Sequence, residues 1–83
     1  MTPQEIRDVI VSLFKEKENF RSIDLDEDYF DLGVSSLTIV GLQVKVEERL
    51  GVSLSTRELM GLSTINQWVE SYIARAEQSL APA

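Results

Sequence analysis

The sequence contains neither cysteine nor histidine. Without Cys there is no disulfide, thiolate zinc site, iron–sulfur cluster or Cys nucleophile. Without His the commonest general base and the commonest metal ligand are missing, and a Ser-His-Asp hydrolase cannot be assembled. Basic side chains are few. Eight Lys and Arg stand against fourteen Asp and Glu, and the resulting charge of −6 disfavours nucleic acid and anionic membranes as partners and favours basic proteins. No apolar run approaches the ~18–20 residues that span a bilayer. The opening Met1-Thr2-Pro3-Gln4-Glu5 lacks the basic start and apolar stretch of a signal peptide, so the expected location is the cytoplasm. The chain is also short. Its 83 residues make one small domain with a thin core and no deep enclosed cavity.

What is present is helical patterning. Thr2-Pro3-Gln4-Glu5 forms a T-x-x-E capping box, and Ile6, Val9, Ile10, Leu13 and Phe14 follow at helical spacing. The pattern predicts a first helix ending near Glu18. Residues 19–35 lose the period and read as a long loop pinned by Leu25, Tyr29, Phe30 and Leu32. Five acidic side chains and no basic one lie between Asp24 and Asp31 in that loop. A second helix is predicted from Ser36 to Leu50, capped by Ser35 and ended by Gly51. A short helix is expected over Thr56–Met60, closed by Gly61. A last helix starts after Thr64, where Thr64-Ile65-Asn66-Gln67 is another capping box, and carries Ile65, Trp68, Val69, Tyr72 and Ile73 on one stripe. The fold class expected is all-α, a small four-helix bundle with three main helices, one short helix and a long first loop. Residues 1–76 form the domain and residues 77–83 a frayed tail.

The second helix carries two apolar stripes. Ile39, Leu42, Val46 and Leu50 form one, and Leu37, Val40 and Val44 form another roughly 150° away. Either both are core, or the second is an exposed docking surface. Gly41 lies among the second set, where a mid-helix glycine either admits a close neighbour or is simply tolerated. Ser36 falls in the first turn, where unpaired backbone N–H groups and the positive end of the helix dipole favour an attached phosphate. Serine at a helix start is equally well explained by capping alone. Asp24-x-Asp26-x-Asp28 begins like a calcium loop, but Tyr29 stands where glycine is needed and Ser35 where the closing glutamate is needed, so no metal site is expected.

The segment Asp28-Tyr29-Phe30-Asp31-Leu32-Gly33-Val34-Ser35-Ser36-Leu37 resembles the phosphopantetheine attachment motif of acyl and peptidyl carrier proteins. The resemblance extends over residues 4 to 75 and includes the helix layout. It implies that Ser36 accepts a 4'-phosphopantetheine arm from coenzyme A, delivered by a phosphopantetheinyl transferase with Mg²⁺. It implies further that Leu37, Val40, Gly41 and Val44, with the acidic Glu47 and Glu48, face partners. Those partners would be an acyl- or amino acid-loading enzyme and a downstream synthase, condensation or tailoring enzyme. The chain itself would not be an enzyme. It would be a monomer, and its Met1 start fits a free-standing protein. Two positions depart from the family pattern. Ser35 stands where many members have Asp, His or Asn, and Gly41 stands where fatty-acid carriers have an acidic residue. Lys45, Glu47, Glu48 and Arg49 sum to zero charge, which favours polyketide or nonribosomal peptide pathways over fatty-acid synthesis. The rival function is an unmodified acidic helical adaptor that binds a basic protein through Asp24, Asp26 and Asp28.

Overall fold

Thr2 and Glu5 exchange the two capping-box hydrogen bonds that start the chain's first helix, at 3.2 Å and 2.9 Å. The computed structural model describes residues 1–80, and side chains for residues 1–78. Helix α1 spans Pro3–Lys15, α2 Ser36–Leu50, α3 Thr56–Met60 and α4 Ile65–Leu80. Two 3-10 turns, Glu18–Phe20 and Tyr29–Leu32, lie in the long first loop. No strand occurs among the described residues. Helix α1 packs on both α2 and α4. The architecture is the small all-α bundle expected.

The core is built from the predicted stripes. Ile6, Ile10, Leu13 and Phe14 of α1 meet Ile39, Leu42 and Val46 of α2 and Ile65, Trp68, Val69 and Tyr72 of α4. Phe14 sits at the aromatic centre, edge-on to Phe20 and to Trp68, each at 4.9 Å between ring centroids. Each such edge-to-face pair adds about 0.5–1.5 kcal/mol beyond its buried area.

Helix α1 stops three residues before the expected end. After Lys15 the chain turns extended at Lys17 and enters the first 3-10 turn, which drives Phe20 into the core. Lys15 Nζ donates to the carbonyls of Ile23 and Arg21 at 2.8 and 3.2 Å and holds that reversal. The long loop is therefore not structureless. Of the expected anchors, Tyr29 is buried and Leu25 and Phe30 pack half-buried against the core, but Leu32 is 52% exposed; Phe20, Ile23 and Val34 are buried in addition. Gly33 adopts a left-handed φ of 86° and turns Val34, not Leu32, beneath the loop.

The α2 and α3 helices begin and end as their sequences dictate. Gly51 closes α2 with a left-handed φ of 71°. Ser55 and Glu58 form a capping box on α3. The Ser55 N–H pulls the Glu58 carboxyl below its usual range, helped by Arg75, whose guanidinium lies 2.6 Å away. At the start of α4, Thr64 and Gln67 form the predicted box, and the Ser63 N–H adds a bond of 2.7 Å to Gln67 Oε1. Helix α4 continues to Leu80, so positions 77–80 of the expected tail are helical. Residues 81–83 of that tail lie outside the described residues.

Candidate functional site

The acidic loop delivers the chain to the start of α2 through a set of local bonds. Asp24 Oδ1 accepts from the Asp26 N–H at 2.9 Å. Asp28 Oδ1 caps the second 3-10 turn, accepting from Phe30 and Asp31 at 2.9 and 3.3 Å. Asp26 Oδ1 accepts from Asn66 Nδ2 at 2.7 Å, and Asn66 Oδ1 accepts from Arg7 at 3.2 Å. The Tyr29 N–H reaches the Ser63 carbonyl, and the Asn66 N–H the Leu25 carbonyl, both at 3.0 Å. Asp24 and Asp28 shape the loop, and Asp26 moors it to Asn66 at the start of α4, a residue that Arg7 of α1 also bonds. No group of three or more acidic side chains among the described residues is arranged to hold a metal ion.

Gly33 and Val34 then set the approach to Ser35, whose extended backbone makes it the N-cap of α2. Ser35 Oγ accepts from the Thr38 N–H at 3.3 Å, and the Ser35 carbonyl accepts from Ile39 at 3.3 Å. Capping thus engages Ser35 and leaves the next hydroxyl out of the network. Ser36 is the first residue of α2, is exposed, and makes no side-chain hydrogen bond among the described residues. The Ser36 and Leu37 N–H groups precede the first intrahelical acceptor, so both point out of the helix end.

Ser36 opens onto an apolar surface. Leu37 is 82% exposed, Val44 54% and Val40 37%. The companion stripe of Ile39, Leu42 and Val46 is fully buried, and Leu50 half-buried. The two stripes of α2 have separated, one inward and one to solvent. Gly41 lies on the outward side, where a Cβ would meet nothing within 4 Å, so no neighbour in this chain requires the glycine. Leu32, expected to pin the loop, adds its apolar side chain to the exposed set.

Glu47 corrects an expectation. The family resemblance puts it among the partner-facing acids, but it is half-buried and turned inward. Glu47 Oε2 accepts from Tyr72 Oη and the Leu54 N–H, both at 2.9 Å, and from Gln43 Nε2 at 3.2 Å. Gln43 Nε2 also donates to the Leu54 carbonyl at 3.0 Å. Glu47 ties α2 to α4 and to the strap before α3. Glu48 is exposed, as expected. Sequence periodicity has no means of revealing the Glu47 contacts, because its partners lie on other elements. Lys45 and Arg49, which the sequence presents only as charge in the sum over α2, are both exposed.

The chain from residue 4 to residue 71 matches the family model described as "Phosphopantetheine attachment site". The chain belongs to that family. As a member it carries covalently attached 4'-phosphopantetheine. Its relatives include a "Dimodular nonribosomal peptide synthase" of Bacillus subtilis (strain 168), 35% identical over 78 residues, which are 94% of this chain and 3% of that protein. They also include a "Cyclo-acetoacetyl-L-tryptophan synthase" of Aspergillus oryzae, 37% identical over 59 residues, or 71% of this chain and 2% of that protein. The chain therefore spans only a few hundredths of the length of these relatives. The residues at the start of α2 fit the group the family bears. They offer an exposed serine whose hydroxyl is free of competing bonds, and unpaired N–H groups for a phosphate. Among the described residues no helix is long and apolar enough to cross a membrane.

Proposed function

We propose that Ser36 is the attachment residue and that the domain bears acyl, aminoacyl or peptidyl cargo between enzymes of a polyketide or nonribosomal peptide pathway. The observation that carries this reading is the division of labour between adjacent serines: Ser35 Oγ caps α2 while Ser36 Oγ stands exposed and unbonded. Attachment forms a phosphate ester between Ser36 Oγ and the phosphopantetheine phosphorus of coenzyme A; the pyrophosphate P–O bond of coenzyme A breaks, adenosine 3',5'-bisphosphate leaves, and the hydroxyl proton passes to a base of the transferase. When bound, the group supplies the thiol that a chain without cysteine lacks.

The chain's own residues hold and present that phosphate. Gly33 and the buried Val34 fix the entry of the chain into α2, so the cap geometry and the direction of Ser36 are set before any partner arrives. The helix end and its free N–H groups stabilise the phosphate charge by about 0.3–1 kcal/mol. Leu37, Val40 and Val44 give a small apolar contact beside the tether, with Glu48 at its rim. A patch of this size supports weak, reversible docking, as a carrier that visits several enzymes requires. The partners are a phosphopantetheinyl transferase, a loading enzyme and a downstream synthase, condensation or tailoring enzyme, met by a monomer in the cytoplasm. Asp24 and Asp28 are engaged in local turn bonds and Asp26 holds Asn66 of α4, which gives the unmodified-adaptor reading no support.

The test is intact mass after incubation with coenzyme A, Mg²⁺ and a broad-specificity transferase. Wild type gains the mass of one arm. Ser36→Ala gains none, while Ser35→Ala loses about 1 kcal/mol of helix capping and is still modified. A wild-type chain that gains no mass with any of several transferases overturns the proposal.

A further inference from the structure

Three of the chain's four glycines have an internal reason. Gly33 and Gly51 hold left-handed backbone, with φ of 86° and 71°. Gly61 ends α3, and a Cβ there would lie 3.4 Å from the Glu58 carbonyl oxygen. Gly41 has no such reason. It lies mid-way along α2, outside the left-handed region, is exposed, and a Cβ would meet nothing within 4 Å. Glycine at such a position destabilises a helix relative to alanine, and no contact within this chain offsets that loss.

The neighbours of Gly41 show what the missing side chain leaves open. At 100° and 1.5 Å per residue, Gly41 lies about 40° around the axis from Leu37 and one turn beyond it. Val44 follows within a turn, about 60° to one side, and Lys45 about 40° to the other. All three are exposed, Leu37 most of all at 82%. Together they ring a bare stretch of helix backbone, a notch in the apolar face with Leu37 and Val44 as its apolar walls. Charge beside the notch balances. Lys45 and Glu48 are the charged residues of α2 nearest to it on this face, and their signs oppose.

We propose that Gly41 is a specificity-determining residue: the enzyme that docks on α2 seats an apolar side chain against the Gly41 backbone, between Leu37 and Val44. The inference rests on the carrier reading and names a contact that reading leaves open. Apolar walls and balanced charge select an apolar occupant over a charged one, which would lose its water there without gaining a partner of opposite sign. Close approach to the backbone is what a glycine inside a regular element permits.

The experiment uses the Ser36-modified chain and the loading enzyme of the same biosynthetic locus, with kcat/KM of loading and the Tm of each variant as readouts. Gly41→Ala raises Tm yet lowers kcat/KM about fivefold or more, chiefly through KM, because the methyl group stands where the partner's side chain packs. Gly41→Leu fills the notch and lowers kcat/KM further. The loss is the same at low salt and at about 0.5 M, where the screening length falls to roughly 4 Å. A loss that vanishes at high salt overturns the apolar occupant. Loading of either variant at the wild-type rate overturns the inference. So does a fall in Tm with Gly41→Ala, since the glycine then serves the fold, or a concentration-dependent dimer that Gly41→Ala abolishes, since the occupant is then a second copy. Failure of the carrier reading is distinct: wild type then never acquires the arm at Ser36.

Discussion

Trp68 Nε1 donates to Tyr29 Oη at 2.7 Å, and Tyr29 Oη in turn donates to the Leu62 carbonyl at 3.1 Å. This relay crosses the core from α4 to the 3-10 turn of the long loop and on to the segment between α3 and α4. Both side chains are fully buried, so no solvent competes for either bond. Through it the interior of the bundle holds the turn that leads to Ser36.

Tyr29→Phe keeps the ring and removes the oxygen. The Trp68 N–H is then buried without an acceptor, which costs about 1–3 kcal/mol. A urea titration should show a lower midpoint with an unchanged slope, since the surface exposed on unfolding is the same. Amide exchange in residues 24–35 should quicken by more than exchange in α1. A midpoint equal to that of wild type would contradict the relay.

Glu47 and Glu48 are neighbours in sequence with opposite roles. Glu47→Ala removes the acceptor shared by Tyr72, Leu54 and Gln43 and should cost about 2–3 kcal/mol. Glu48→Ala lies on the surface and should change stability by less than about 0.5 kcal/mol. Chemical denaturation of the two variants side by side decides the matter; equal losses would place both carboxylates outside the fold's bonding.

Glycine substitutions should separate in sign. Gly41→Ala adds a methyl group that meets nothing within 4 Å, and it should raise Tm by a few degrees through the ~0.5–1 kcal/mol helix preference of alanine. Gly33→Ala must adopt a φ of 86° and should lose about 1–2 kcal/mol. Calorimetry on both variants tests the contrast.

Burial raises the Tyr72 phenol far above its usual range, and the Glu47 carboxylate that accepts its proton adds to the shift. Burial likewise raises Tyr29, against the Trp68 donor, which lowers it. The folded chain therefore holds these protons more tightly than the unfolded chain. The stability they contribute is complete below the ordinary phenol value of about 10 and is lost as pH climbs above it. These are the only two tyrosines in the chain. Phenolate absorbance should thus appear together with loss of the helical far-UV signal. A phenolate signal with a midpoint near 10 while the helices persist would be the contrary result.

Much of this molecule is legible in its sequence because the information is local. The two stripes of α2 follow from helical spacing, and their separation into a buried Ile39–Leu42–Val46 set and an exposed Leu37–Val40–Val44 set matches one of the two alternatives the pattern allows. Thr2 with Glu5, Thr64 with Gln67, and Gly51 at the end of α2 act within one turn of the chain, so short motifs disclose them. The loop is harder. Phe20, Ile23 and Val34 are buried by 3-10 turns and a left-handed glycine, which impose no apolar period. Leu32 and Leu25 look alike in sequence, yet the course of the backbone exposes one and half-buries the other. Glu47 escapes the sequence for a related reason. Its direction depends on Tyr72 and on the strap at Leu54, and helix periodicity carries no record of either.

The single tryptophan of the chain is buried against Tyr29, beneath the loop rather than on the α2 face. Its emission is therefore a built-in gauge of whether the loop stays seated. A partner that merely rests on Leu37 and Val44 leaves that colour and intensity untouched, whereas one that pries the loop from the bundle shifts the spectrum. An unlabelled fluorimeter trace thus separates rigid recognition from remodelling in this small domain.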